Sequence, residues 1–139
     1  MWMPPELQAF AGGFPLMLLQ AAAALLLLGL AGSAFALLSP NREVQRVREG
    51  NAAAAVSFGG AIVGLALPIA ASVIVSTSLV GLALWGVATS LLALLGFRLI
   101  DLLFTGLPQR LRDGDVGAAV LLVAARLAVA IVLAASLAV

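Results

Sequence analysis

Three charged side chains stand inside otherwise apolar runs of this sequence: Arg98, Asp101 and Arg126. Arg98 and Asp101 are three positions apart, a spacing that puts both on one face of a helix. An arginine in hydrocarbon costs about 2.5–3.5 kcal/mol on insertion scales, so Arg126 is expected to face protein and not lipid. The chemistry open to this set is narrow. A guanidinium is a permanent cation and a donor only, and one carboxylate cannot supply both acid and base. An Asp101–Arg126 bridge is expected, with Arg98 nearby. Two guanidiniums to one carboxylate leave a positive surplus, which suits either an anion path or an internal staple. The chain has no cysteine, histidine or lysine, so Ser–His, Cys–His and Ser–Lys constellations and the commonest transition-metal ligands are excluded. No enzyme, metal or cofactor is expected.

Lipid-crossing helices must hold these residues. Of 139 residues, 64% are apolar and 9% charged, whereas a soluble domain carries about a quarter charged residues. The solvent for this surface is lipid, and the net charge of +1 gives no basis for nucleic-acid binding. A ~30 Å hydrocarbon core takes about 20 apolar residues, and four runs meet that length: Leu16–Leu38, Asn51–Val75, Leu79–Thr105 and Val116–Leu137. Residues 1–15 form an interfacial N-terminus with Trp2, Phe10 and Phe14. No basic region precedes the first apolar run, and its length exceeds a signal-peptide core, so a retained span is expected. At 1.5 Å per residue, Asp101 lies roughly 7 Å and Arg126 roughly 16 Å from the near ends of their spans. Side chains lean toward helix N-termini, so Arg126 and Asp101, on antiparallel spans, lean toward each other.

Two segments join spans 1–2 and 3–4, and both are arginine-bearing loops. The first contains Arg42, Arg46 and Arg48; the second contains Arg110 and Arg112. The turn Ser76-Thr77-Ser78 and both termini have none. The positive-inside rule places both loops in the cytoplasm and both termini outside. Trp2 and Trp85 then fall together at the outer interface. In the first loop Val44 and Val47, three apart, offer one apolar edge to the membrane surface.

The chain also repeats itself. Arg48 to Ser72 recurs at Arg112 to Ser136, with Arg, Gly, Ala and Ser matches at a constant offset of 64. A fixed-offset echo is the mark of a tandem duplication. The expected fold class is an all-α integral membrane protein of four transmembrane helices, arranged as two tandem helical hairpins, 16–75 and 79–139. An even number of spans per repeat makes the repeats parallel, about an axis along the membrane normal.

The remaining motifs are structural in type. Asn51, Asp113 and Asp115 stand where spans 2 and 4 begin, as helix caps or as a paired recognition patch. Gly60 and Gly64 make a small-xxx-small stripe for close helix approach, within the chain or between subunits, and Gly29 with Ser33 gives span 1 a weaker one. Homo-oligomerisation is expected from this small-residue surface. Pro68 removes the amide that would bond the Gly64 carbonyl and bends span 2; Val132 stands at the equivalent position of the second repeat.

Ser-Pro-Asn-Arg-Glu from Ser39, Glu-Gly-Asn-Ala-Ala-Ala-Ala from Glu49, Gly60, Gly64, Leu67-Pro68-Ile69, Phe97-Arg98-Leu99 and Gly117-Ala-Ala together resemble the YjfL-type bacterial inner-membrane proteins, known as domain of unknown function 350. The likeness runs from Ser39 onward, and the first span shares only its character. The resemblance implies two copies of a two-helix unit and a loose association with membrane-stress and polyamine-related genes. It carries over Asn51, Gly60, Gly64, Pro68 and Arg98; Asp101 and Arg126 depart from the pattern. It brings no biochemical activity. The leading expectation is a non-enzymatic, oligomeric inner-membrane scaffold whose arginine-bearing loops meet a cytoplasmic protein or anionic headgroups. The alternative is a small anion channel or transporter using Arg98, Asp101 and Arg126. A dry, paired Arg126 favours the first, and a water-filled cavity reaching it favours the second.

Overall fold

A computed structural model of the chain describes residues 2–39, 43–104 and 106–137, without the side chains of Glu43, Leu107, Pro108 and Arg112. Arg42, assigned above to the first loop, lies outside the described residues, as does the side chain of Arg112. Among the described residues the chain forms six helices: α1 Pro5–Leu38, α2 Glu43–Arg48, α3 Ala52–Val75, α4 Leu79–Leu103, α5 Leu107–Arg112 and α6 Val116–Ser136. Four of them, α1, α3, α4 and α6, are long and apolar enough to cross a membrane. The protein is a multi-pass, all-α membrane protein.

The two segments expected as loops each contain a short helix instead. Each ends on a glycine with left-handed backbone, Gly50 at φ 88° and Gly114 at φ 84°, a conformation that costs a residue without Cβ little. The next residue then caps the following span. Asn51 Oδ1 accepts from the Ala54 amide at 3.1 Å, and Asp115 Oδ1 accepts from the Ala118 amide at 3.2 Å. The amides of Asn51 and Asp115 donate back to the carbonyls of Arg46 and Arg110. Two chemically matched joints thus turn the chain by the same hydrogen bonds. Asp113 does not cap α6: it sits at the C-terminal end of α5, where its amide closes that helix.

α3 packs most extensively against α6, and these two form the centre of the bundle. They run in the same direction, since Ser57 meets Arg126 and, further along, Gly64 faces Ala130. The buried positions of α3 (Ala53, Ala54, Ser57, Ala61, Gly64, Leu65, Pro68, Ile69, Ser72) trace one stripe at helical spacing. A Cβ on Gly60 would strike Val123 of α6, and one on Gly64 would lie 2.9 Å from the Phe97 ring of α4. Both glycines therefore serve contacts inside the chain. On α1 the close approach falls to Gly32, where a Cβ would meet Ile62 at 2.8 Å, while Gly29 has open space around it. Pro68 is buried, and the Ser72 hydroxyl donates to its carbonyl at 2.9 Å.

Two apolar clusters fill the bundle. One joins Ala31 and Phe35 of α1 to Leu65 of α3 and Phe97 of α4. The other, toward the arginine-bearing joints, joins Ala53, Ile100, Ala119 and Leu122, with Leu111 of α5 fully buried beneath them. Leu111 fixes the second joint to the first, because its carbonyl accepts from Asn51 Nδ2 at 3.5 Å.

α1 departs from expectation at its start. It is one 34-residue helix from Pro5, roughly 51 Å long at 1.5 Å per residue, and its residues from 2 to 19 are all exposed. Gly86, beside Trp85, backs onto Leu27 of α1, roughly 33 Å of helix from Pro5. Trp2 and Trp85, expected at one interface, consequently stand at different levels along α1.

Candidate functional site

Arg126 lies between the two apolar clusters. It projects from the middle of α6 because the stripe Ala118, Ala119, Leu122, Arg126, Ala130 faces the bundle. Its side chain is 1% exposed. Nη2 donates to Asp101 Oδ1 of α4 at 3.3 Å, so the expected bridge is present. Nη1 donates to the Ser57 hydroxyl of α3 at 2.7 Å and to the Ser57 carbonyl at 3.1 Å. The guanidinium carbon stands 5.1 Å from the centre of the Phe35 ring of α1, within cation–π range. One side chain thus bonds or stacks with each of the other three spanning helices.

The geometry accounts for the burial of a permanent cation. A buried charge is tolerated when it is both paired and hydrogen-bonded, and Asp101 and Ser57 supply the two. Phe35 adds the negative face of its ring to the same cation. Ser57 and Phe35 were not singled out from the sequence. A signal for Ser57 existed, because it lies on the same stripe as Gly60 and Gly64, the face that meets α6. Phe35 gave none, being one apolar residue among many in α1.

Arg98 takes a different position. It lies on the same α4 face as Asp101 but is exposed. Arg98 and Asp101 border a half-open cleft of about 450 Å³ between α1 and α4. Arg126 is not part of its wall.

The joints hold the other candidate residues. Arg48 and Arg110 are exposed and Arg46 half-buried. Arg110 Nε donates to Asp115 Oδ2 at 2.8 Å. The Ala118 amide, followed by Arg110, holds the Asp115 carboxyl below its ordinary range. Among the described residues no group of three or more His, Cys, Asp or Glu side chains could hold a metal ion.

The family model described as Domain of Unknown Function (DUF350) matches residues 9–137, nearly the whole bundle including α1. The chain belongs to the DUF350 family. The match extends into the first span, where the sequence likeness was one of character alone. No curated protein and no solved structure matches the chain.

Proposed function

We propose that this DUF350 protein is a non-enzymatic membrane scaffold, a rigid four-helix body that presents two arginine-bearing joints to the cytoplasm. The observation that carries this reading is the closure of Arg126: its charge is spent on Asp101, Ser57 and Phe35, and the cleft beside Asp101 stops short of it. A site for a passing anion needs an accessible cation. Arg48 and Arg110 at the joints are exposed, as is Arg98 on α4, and docking to an acidic protein surface is favoured at the joints. The arginine distribution supports a bacterial inner membrane setting with both termini outside. The matched joints at Gly50-Asn51 and Gly114-Asp115, together with the offset of 64, support two parallel copies of one hairpin. Homo-oligomers fit a body whose outer face is apolar, although Gly60 and Gly64 are already used within the chain.

Ion flux in proteoliposomes tests the reading. Chloride and potassium flux through the wild-type protein should equal that of empty vesicles. Chloride flux above that level, lost in Arg126→Met, would replace the scaffold with a channel. In cells, crosslinks from the joints to a cytoplasmic protein should disappear when Arg42, Arg46 and Arg48 are changed to Gln.

A further inference from the structure

The cleft between α1 and α4 is shaped for an amphiphile. Its floor is aromatic, formed by the buried Phe35 and Phe97. Its walls are Leu38 of α1 and Leu91, Leu94 and Leu95 along one face of α4. Leu38, Leu91 and Leu95 are largely exposed, so the cleft opens sideways from the bundle and not into its interior. Both helices are spanning helices, and the cleft mouth therefore faces the hydrocarbon of the bilayer. One end is polar, where Arg98 and Asp101 stand near the arginine-bearing joints.

The two charges at that end are not equivalent. Asp101 gives Oδ1 to Arg126, and its side chain is only 11% exposed. Its negative charge is offset within the protein. Arg98 is exposed on a membrane-spanning helix, one turn before the Asp101 carboxylate that Arg126 already engages. Two guanidiniums thus share one carboxylate, and the cleft ends in a net positive charge on Arg98, about five residues, roughly 7 Å, from the end of α4. That is headgroup depth for a lipid whose chain lies along the leucines. A guanidinium is the side chain best matched to a phosphate oxygen pair, and basic pockets between spanning helices take anionic headgroups.

We propose that this cleft is a binding site for one anionic phospholipid, with the phosphate on Arg98 and an acyl chain against Leu91, Leu94, Leu95 and Phe35. The occupant is a membrane lipid and not a soluble anion, because the described walls are exposed leucines of two spanning helices. A zwitterionic lipid offers the same phosphate with an added cation, which Arg98 repels, so the site prefers a headgroup of net negative charge. The site is independent of the scaffold reading, since it requires only that the four helices cross a bilayer.

Native mass spectrometry of delipidated protein titrated with phosphatidylglycerol or phosphatidylcholine tests it. The wild type should retain one phosphatidylglycerol per chain with at least about tenfold preference over phosphatidylcholine, or 1.4 kcal/mol on the usual conversion. Arg98→Gln should remove the preference, and Arg98→Lys should restore part of it. Leu95→Trp, which fills the cleft without touching a charge, should weaken both lipids. Unfolding midpoints of all variants act as the control, and Leu95→Trp keeps the test decisive if Arg98→Gln fails to fold. Equal retention of the two lipids by the wild type overturns the proposal. So does a preference that survives Arg98→Gln and disappears with Arg46→Gln and Arg48→Gln, which assigns headgroup binding to the joints. Because the chain has no native cysteine, Leu95→Cys adds a further arm. Disulfide-linked dimers of that variant in native membranes, without phosphatidylglycerol retention by the wild type, would seat a second copy in the cleft and overturn the lipid.

Discussion

Replacing Arg126 with Met takes away the cation bonded to Asp101 and leaves that carboxylate in a cluster built to offset it. Breaking one partner of a buried ion pair costs about 3–5 kcal/mol, and a loss in that range is expected by chemical unfolding in mild detergent. Asp101→Asn keeps an oxygen facing Nη2 but removes the counter-charge of a buried cation that cannot deprotonate, so a loss of the same order is expected. Ser57→Ala removes a 2.7 Å hydrogen bond to a charged donor, a loss of about 1.5–3 kcal/mol. If Arg126 were merely parked in the bundle, Ser57→Ala and Arg126→Met would add in the double variant. A guanidinium acting as one hub predicts a smaller sum, since the Ser57 hydroxyl has nothing to offer once the arginine is gone.

The α3–α6 contact and the two joints decide how the elements hold together. Gly60 lets α6 approach until Val123 occupies the space a side chain would need. Gly60→Leu should push the central pair apart and cost about 1–3 kcal/mol, the usual range for overpacking, with a lower unfolding midpoint as the readout. Gly29→Leu, with open space around it, should leave the midpoint unchanged. The joints differ in one respect that pH can expose. The Asp115 carboxyl titrates below its ordinary range when folded, mainly because the Ala118 amide donates to it. Its contribution is therefore complete above the unfolded value and is lost as pH falls through the folded one. Amide exchange at Ala118, relative to Ala54, should rise on acidification, because Asn51 caps α3 with a side chain that does not titrate.

At the scale of the whole molecule, the first half of α1 stands apart. Residues 2–19 are exposed along their length, while the helix buries only Ala31, Gly32 and Phe35 farther on. Removing the residues before Phe14 should leave the unfolding midpoint of the bundle unchanged, because the core clusters begin beyond them. A fall in the midpoint would mean that this stretch folds back onto the helices. The bundle itself is organised from its middle: α3 and α6 run together, α1 and α4 flank them, and Leu111 with Asn51 draws the two joints into one end.

Spans, caps and the Asp101–Arg126 pair were legible in the sequence because each follows from short-range rules. Hydropathy over about 20 residues sets a span, an Asn or Asp after glycine sets a cap, and an arginine within a span needs a counter-ion. Asp113 lies beyond the reach of the same rules. Two acidic residues flank Gly114, and only the backbone of α5 decides which one begins the next helix. What the tertiary structure decided is which surfaces face each other. Phe35 carries no signal of its own as a partner of Arg126, and Ser57 only its place on the stripe of Gly60 and Gly64, since a serine and a phenylalanine suit any small-residue helix. Their role comes from the angle and level at which α3 and α1 pass α6. The inward placement of Gly60 and Gly64 likewise depends on Val123 and Phe97, residues far along the chain. Local chemistry fixes where helices start and stop; the packing of apolar faces, which hydropathy cannot tell apart in a chain this uniformly apolar, selects the neighbours.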